Sequence, residues 1–416
     1  MRLTALLALA LPFAAGCPGN DTCDPTGGNI CTIAGSGESG YAGDDGPATD
    51  AKMSLPMDTL TAPDGTIYIL DWNNHRLRKV DLDGTMRHVA GRGELGGTLD
   101  DPANGDFNHP TGMTFDPSGL HIVIAAWHNS KVRTLDLASS EIVDTCGDGR
   151  RAYFGDGGPA TMASLDLPAS VVYDADGNLI IMDQANQVIR MIDGNGDISK
   201  VAGNCVIDSP MPAGPGPCAE GTDPLACAPP SGKTTCGDAT TCTLPCNPGF
   251  VGDGPASEMR IAQPFGQSAD PAGRLLFDGD GNLYFADTGN ALIRMIDTSG
   301  MVHRIAGTEP VDGVAQFGYD GDGGAATDAL LDNPVDLAFG PDGTLYFTDV
   351  YSHCVRAVDG GGTITTVVGQ CGTAGYEGDG GPANQALLKR AYGLEVAGDR
   401  LLISDTGNNV IRVVGL

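Results

Sequence analysis

Two octapeptides far apart in the chain are nearly the same: Asp287-Thr288-Gly289-Asn290-Ala291-Leu292-Ile293-Arg294 and Asp405-Thr406-Gly407-Asn408-Asn409-Val410-Ile411-Arg412. Each follows an apolar run, Leu283-Tyr284-Phe285-Ala286 or Leu401-Leu402-Ile403-Ser404, so each reads as strand, tight turn, strand. Working outward, short β-rich runs ending in Gly recur at Thr32-Ile33-Ala34-Gly35, His88-Val89-Ala90-Gly91, Asp144-Thr145-Cys146-Gly147, Lys200-Val201-Ala202-Gly203, Arg304-Ile305-Ala306-Gly307 and Thr366-Val367-Val368-Gly369. A fixed period of tens of residues marks a repeat architecture.

Within each unit, Asp-Gly turns such as Asp64-Gly65, Asp176-Gly177, Asp280-Gly281 and Asp342-Gly343 separate the first strand from the second. Four short strands repeated six times predict an all-β, six-bladed β-propeller of four-stranded antiparallel blades. The final unit stops short of its last strand. Gly27 to Gly35, containing Asn29-Ile30-Cys31-Thr32-Ile33-Ala34, supplies a strand of the right kind, so the N-terminal strand is expected to complete the last blade and close the ring.

The octapeptides, with linkers such as Tyr376-Glu377-Gly378-Asp379-Gly380-Gly381-Pro382-Ala383, resemble the NHL repeats of bacterial proteins and of teneurin propellers. That resemblance covers nearly all of residues 30–416 and implies the propeller fold. The second unit departs from it, with Ala126-Trp127-His128-Asn129 in place of Asp-Thr-Gly-Asn.

At the N-terminus, Arg2, the apolar run Leu3 to Phe13 and the small residues Ala14, Ala15 and Gly16 before Cys17 have the layout of a secretory signal peptide. The run is too short to cross a bilayer as a helix. Its end resembles the bacterial lipobox, which implies cleavage before Cys17 and lipidation there; the alternative is a plain signal peptide with Cys17 left for a disulfide. The expected organisation is signal peptide 1–16, lipid-anchor tether 17–26 and propeller 27–416, interrupted by a Cys- and Pro-rich insertion at 204–258. The expected location is the bacterial cell envelope, periplasmic or surface side.

Twelve cysteines fit an oxidising compartment. Six of them, Cys205, Cys218, Cys227, Cys236, Cys242 and Cys246, fall in the insertion and are disulfide candidates of open pairing. If Cys17 carries lipid, the odd remainder leaves at least one thiol unpaired. A formal charge of −30, from 53 acidic against 23 basic residues, argues against nucleic acid as a partner, because phosphate binding draws on clustered Lys and Arg. Membrane contact is expected through the lipid alone.

The once-per-blade Asp and Arg residues read as structural. In the innermost strands, one register is apolar (Met113, Val171, Leu337, Leu394), and the other points Asp58, Arg274, Asp336 and Glu395 into the tunnel. An Arg274–Asp336 ion pair between adjacent blades is expected, with a polar channel around it. On the turns between second and third strands, Trp72, His75, Trp127, His128 and Tyr351 are expected to emerge on one face. There they either stack on a sugar ring or anchor a protein, or else pack against the linkers. No cofactor is expected; among the Gly-rich linkers, Asp320 and Asp322 form the densest candidate for calcium. The composite expectation is an envelope binding or scaffolding module for a protein or glycan. The alternative is a hydrolase or lyase using the tunnel carboxylates with calcium.

Overall fold

The computed structural model describes residues 23–93, 107–203, 235–236, 242–243, 248–266 and 268–416. Six antiparallel sheets follow one another around a ring, with strands in sequence order from the tunnel outward apart from the outermost strand of the sixth and a two-residue edge strand on the third and fourth. The first blade is Pro56–Thr61, Ile67–Asp71, Arg76–Val80 and Met86–Ala90; the second is Pro110–Phe115, His121–Ala126, Lys131–Asp136 and Ile142–Cys146. The third is Pro168–Tyr173, Leu179–Asp183, Val188–Ile192 and Asp197–Ala202. The fourth is Leu275–Phe277, Leu283–Asp287, Leu292–Ile296 and Met301–Ala306, and the fifth is Pro334–Phe339, Leu345–Asp349, Cys354–Val358 and Ile364–Val368.

The sixth blade closes the ring as expected. Gly393–Ala397, Arg400–Asp405 and Val410–Gly415 are joined by the N-terminal strand Ile30–Ala34, with Ile30 opposite Val414 and Thr32 opposite Arg412. A disulfide between Cys23 and Cys31, together with a hydrogen bond from Gly415 N–H to the Pro25 carbonyl (2.9 Å), ties the chain just before that strand to the same blade. A second disulfide joins Cys354 to Cys371. The backbones of Cys236 and Cys242 pair in a two-residue hairpin; Cys205, Cys218, Cys227 and Cys246, like Cys17, lie outside the described residues.

Five of the six blades are held by a buried Asp–Arg unit of the same kind, which explains the repeated octapeptide. In the first blade, Asp71 accepts from Ser54 N–H (2.8 Å), Asn74 (2.9 Å) and Arg78 (3.2 Å). Arg78 reaches onward to Asp44 and to the carbonyls of Lys52 and Ala42, so the preceding linker is folded onto its blade. Asp183–Asn186–Arg190–Asp156 and Asp405–Asn408–Arg412–Asp379 repeat it. The outer strand carries an extra residue, a β-bulge, beside this arginine position in all six blades. Such groups are buried only because they are mutually satisfied.

The second blade lacks the aspartate, since Ala126 stands in its place. There the amide oxygen of Asn129 accepts the equivalent Asn108 N–H (2.7 Å), and Arg133 turns to Asp144 instead. In the fourth, Gly254–Pro255 pairs with the outer strand as Gly158–Pro159 does in the third, so the segment after Phe250 is a blade linker. Gly203, where the insertion leaves the third blade, abuts Gln187 of the turn between second and third strands. The insertion is therefore rooted on the face that carries those turns.

Candidate functional site

The tunnel register is as read from the sequence, but its contents differ. Met113, Val171, Leu337 and Leu394 are buried between blades, while Asp58, Arg274 and Asp336 face inward and are 5–8% exposed. Arg274 does not pair chiefly with its neighbour Asp336. It crosses the ring from the fourth blade to the first, placing Nη1 3.0 Å from Asp58 Oδ2, whereas its Nε is 4.0 Å from Asp336. Its Nη2 also donates to the Thr111 carbonyl of the second blade. Glycine makes the crossing possible, because a Cβ on Gly112 would collide with Arg274 Nη1 and stand 2.7 Å from the Ala169 carbonyl. The expected channel is thus spanned by one guanidinium.

The tunnel carboxylates also bind blade to blade. Asp58 accepts from Met113 N–H (2.9 Å), Asp336 from Leu394 N–H (2.9 Å), and Glu395 from Thr61 N–H (2.6 Å); Ser170 Oγ accepts from Leu275 N–H (3.1 Å). Burial pushes Asp336 up to about 7 against the pull of Arg274, and burial likewise raises Asp58 and Glu395.

Above the tunnel, the extra residues that precede the inner strand of the fourth blade form a cap. Gln184, in the turn of the third blade, donates to the carbonyls of Pro264 (2.8 Å) and Asp270 (2.9 Å) and accepts from Ala272 N–H (3.1 Å). Asp270 receives Arg390 (2.9 Å) and the Tyr351 hydroxyl, and Arg390 also reaches the Tyr392 hydroxyl (2.7 Å). The cap is thereby fastened to the third, fifth and sixth blades. Gln184, Asp270, Arg390 and Tyr392 carry no sequence signal of their own. The unusual length before Leu275 was the available sign, but it does not show where the extra loop goes.

The aromatic turns are sorted by this cap. Trp127 is 1% exposed, donates to Gln184 (3.2 Å) and packs with Leu167, Ala169 and Ala185, so it is a core residue and not part of an open face. Trp72 is half-buried, 6.3 Å from Trp127 between ring centroids, and contacts the clusters on both sides of the mouth. His75 is buried, its Nδ1 accepting from His109 N–H (3.2 Å). His353 and Asn409 take the same inter-blade role towards Arg390 and Leu55. Of the expected residues, Tyr351 is exposed (41%), and Phe265 of the cap (49%) joins it.

His128 stacks on Trp127 at 4.3 Å and meets His109, which is not among the residues expected from the sequence, with Nδ1 atoms 3.0 Å apart. Burial lowers both, His109 to about 3 and His128 to about 4, so both rings are neutral near pH 7.

Asp320 and Asp322 line a pocket of about 480 Å³ at the seam of the fifth and sixth blades. Asp322 spends one oxygen on Arg356 (2.7 Å) and the other on Thr366 N–H (2.9 Å). Among the described residues, no three His, Cys, Asp or Glu side chains converge on a point that could hold a metal ion. Cys146 is a buried free thiol pushed up to about 12 by burial.

No protein-family model matches the chain. Teneurin-1 of Mus musculus is 26% identical over 387 residues, which takes in 79% of this chain and 13% of teneurin-1. Protein SUPPRESSOR OF QUENCHING 1, chloroplastic, of Arabidopsis thaliana is 23% identical over 79% of this chain and 27% of its own length. The chain therefore spans a minor part of these curated relatives. An auxiliary nutrient binding protein from Bacteroides thetaiotaomicron has the same fold, with a TM-score of 0.59 at 14% identity over 93% of this chain and 76% of that one. The chain is thus similar to the teneurins in its NHL-type repeats, and those repeats build an all-β, six-bladed propeller.

Proposed function

We propose that the chain is an exported, lipid-anchored propeller of the cell envelope that acts as a binding and scaffolding module for a protein or glycan. One observation carries this reading: the tunnel's ionisable side chains are buried and committed to blade-to-blade bonds, while the capped face leaves Phe265 exposed and Tyr351 exposed beside an Arg390–Asp270 pair. An exposed aromatic ring beside a charged pair suits the face of a sugar ring or a protein hot spot. The insertion is rooted on that same face, and loops on a rigid scaffold are where recognition usually sits.

The disulfides Cys23–Cys31 and Cys354–Cys371 support an oxidising compartment, and the Bacteroides protein of the same fold is a nutrient binder, which favours a binding role. No helix among the described residues is long and apolar enough to cross a membrane, and the attachment proposed is the lipid on Cys17. The test has two parts. Intact mass of the membrane-extracted protein should show residues 1–16 absent and a lipid increment on Cys17. Binding to a panel of envelope polysaccharides and envelope proteins should be lost in Tyr351→Ala and Phe265→Ala; unchanged binding in both variants would overturn the reading of the face.

A further inference from the structure

The junction of the first and second blades concentrates donor atoms that the repeat does not require. The residue two before the leading proline and the residue just before it are Ser54 and Leu55 in the first blade, but Asn108 and His109 in the second. His128 stands where the octapeptide has glycine, as in Gly289 and Gly407. These three substitutions bring His109 Nδ1 within 3.0 Å of His128 Nδ1 and within 2.7 Å of Asn108 Oδ1.

One imidazole nitrogen has a single in-plane position for a proton or a lone pair, so His109 Nδ1 can satisfy only one of these neighbours directly. Of the two nitrogens of His128, Nδ1 is the one that meets a polar atom, since its Nε2 is buried without a partner. His109 Nδ1 therefore has two lone-pair atoms within hydrogen-bond distance, more than one imidazole nitrogen can satisfy. A cation placed among them would use all three lone pairs at once.

The spacing says which kind. Two nitrogens bound at ~2.0–2.1 Å stand about 2.9 Å apart when the angle at the metal is a right angle and about 3.3 Å apart when it is tetrahedral. The observed 3.0 Å is the right-angled value, and the amide oxygen at 2.7 Å from His109 Nδ1 is likewise a cis neighbour. Imidazole and amide donors at right angles favour tetragonal Cu(II) or Ni(II) over Zn(II), and Cu(II) binds most strongly in that series. Both rings are fixed in place by aromatic neighbours. His128 lies stacked on Trp127, and His109 sits between Trp72 (4.3 Å) and His75 (4.3 Å). Both rings are only half-buried.

We propose that His109 Nδ1, His128 Nδ1 and Asn108 Oδ1 form a site for a divalent copper-type ion, with solvent completing the coordination. The probe is Cu(II) added to the purified full chain. Electron paramagnetic resonance should show one equivalent of axial Cu(II) with superhyperfine structure from two nitrogens, and thermal unfolding should shift upward on adding the metal. His109→Gln and His128→Gln should each weaken binding at least tenfold and abolish the two-nitrogen signal, while His303→Gln on the outer strand of the fourth blade leaves both intact. If either glutamine variant is poorly folded without metal, Asn108→Ala, which keeps both rings, should still weaken binding. A copper signal unchanged in His109→Gln and His128→Gln, or a spectrum without nitrogen coupling in the wild type, overturns the site.

Discussion

Arg274→Met tests whether one guanidinium holds the centre of the ring. Methionine fills a similar volume but leaves Asp58 and Asp336, both under a tenth exposed, without their counter-charge. Removing one partner of a buried pair costs about 3–5 kcal/mol. With an unfolding entropy of ~2.1 cal/mol/K per residue, a chain of this length loses about 1.2 K per kcal/mol, so Tm should fall by about 4–6 °C. The loss should depend on pH in a defined sense. Asp336 has a folded pKa raised to about 7, so the stability it contributes is present at low pH and is lost as pH rises through about 7. Without Arg274 that pKa rises further. The deficit of Arg274→Met relative to wild type should therefore be small near about pH 5.5 and full near about pH 8.5. Thermal unfolding followed by circular dichroism at the two pH values measures it, and adding Asp58→Asn should recover part of the loss. A deficit of the same size at both pH values, or none at all, would refute the reasoning.

Gly112→Ala should be destabilising through the same centre, because the new methyl takes the space of Arg274 Nη1; a Tm equal to wild type would show that the guanidinium can move aside. Cys146 should resist alkylation at mildly alkaline pH in the folded protein and react on unfolding, as expected for a buried thiol pushed up to about 12. Replacing Cys23 and Cys31 by serine opens a short loop, the two positions being 8 residues apart, and should cost about 2–3 kcal/mol, seen as a lower denaturant midpoint for the whole ring. Asp405→Ala removes the acceptor of Lys389 N–H and of the Asn408 amide in the blade that closes the ring, leaving Arg412 paired with Asp379, and should cost about 1–3 kcal/mol by the same measurement.

The fold was legible because the repeat is a backbone device. Its strand-turn-strand octapeptides, its Asp-Gly turns and the strand lacking from its last unit each have a local signature, and Ile30–Ala34 falls where the arithmetic places it. The structural role of the repeated Asp and Arg followed from their recurrence and is seen in Asp71 and Arg78. The tunnel residues were legible by strand alternation, but not their partners: Arg274 is long enough to cross a lumen left open at Gly112, and reach across a ring is not a property of register. Whether Trp127 is open or packed is not settled by the sequence, because its cover, Leu167, Ala169 and Ala185, comes from the next blade. That contact is tertiary, and the aligned turns of Trp72 and Trp127 are the same in sequence terms although one is buried and the other half-open.

The central claim is that recognition sits on the capped face and not in the tunnel. The most direct measurement compares the affinity of an envelope ligand for two variants that leave the ring folded: Tyr351→Ala on the face and Asp336→Asn in the tunnel. The account predicts that Tyr351→Ala weakens binding at least tenfold while Asp336→Asn leaves it within twofold of wild type. Loss of binding in Asp336→Asn with Tyr351→Ala unaffected would place the site in the tunnel and contradict it.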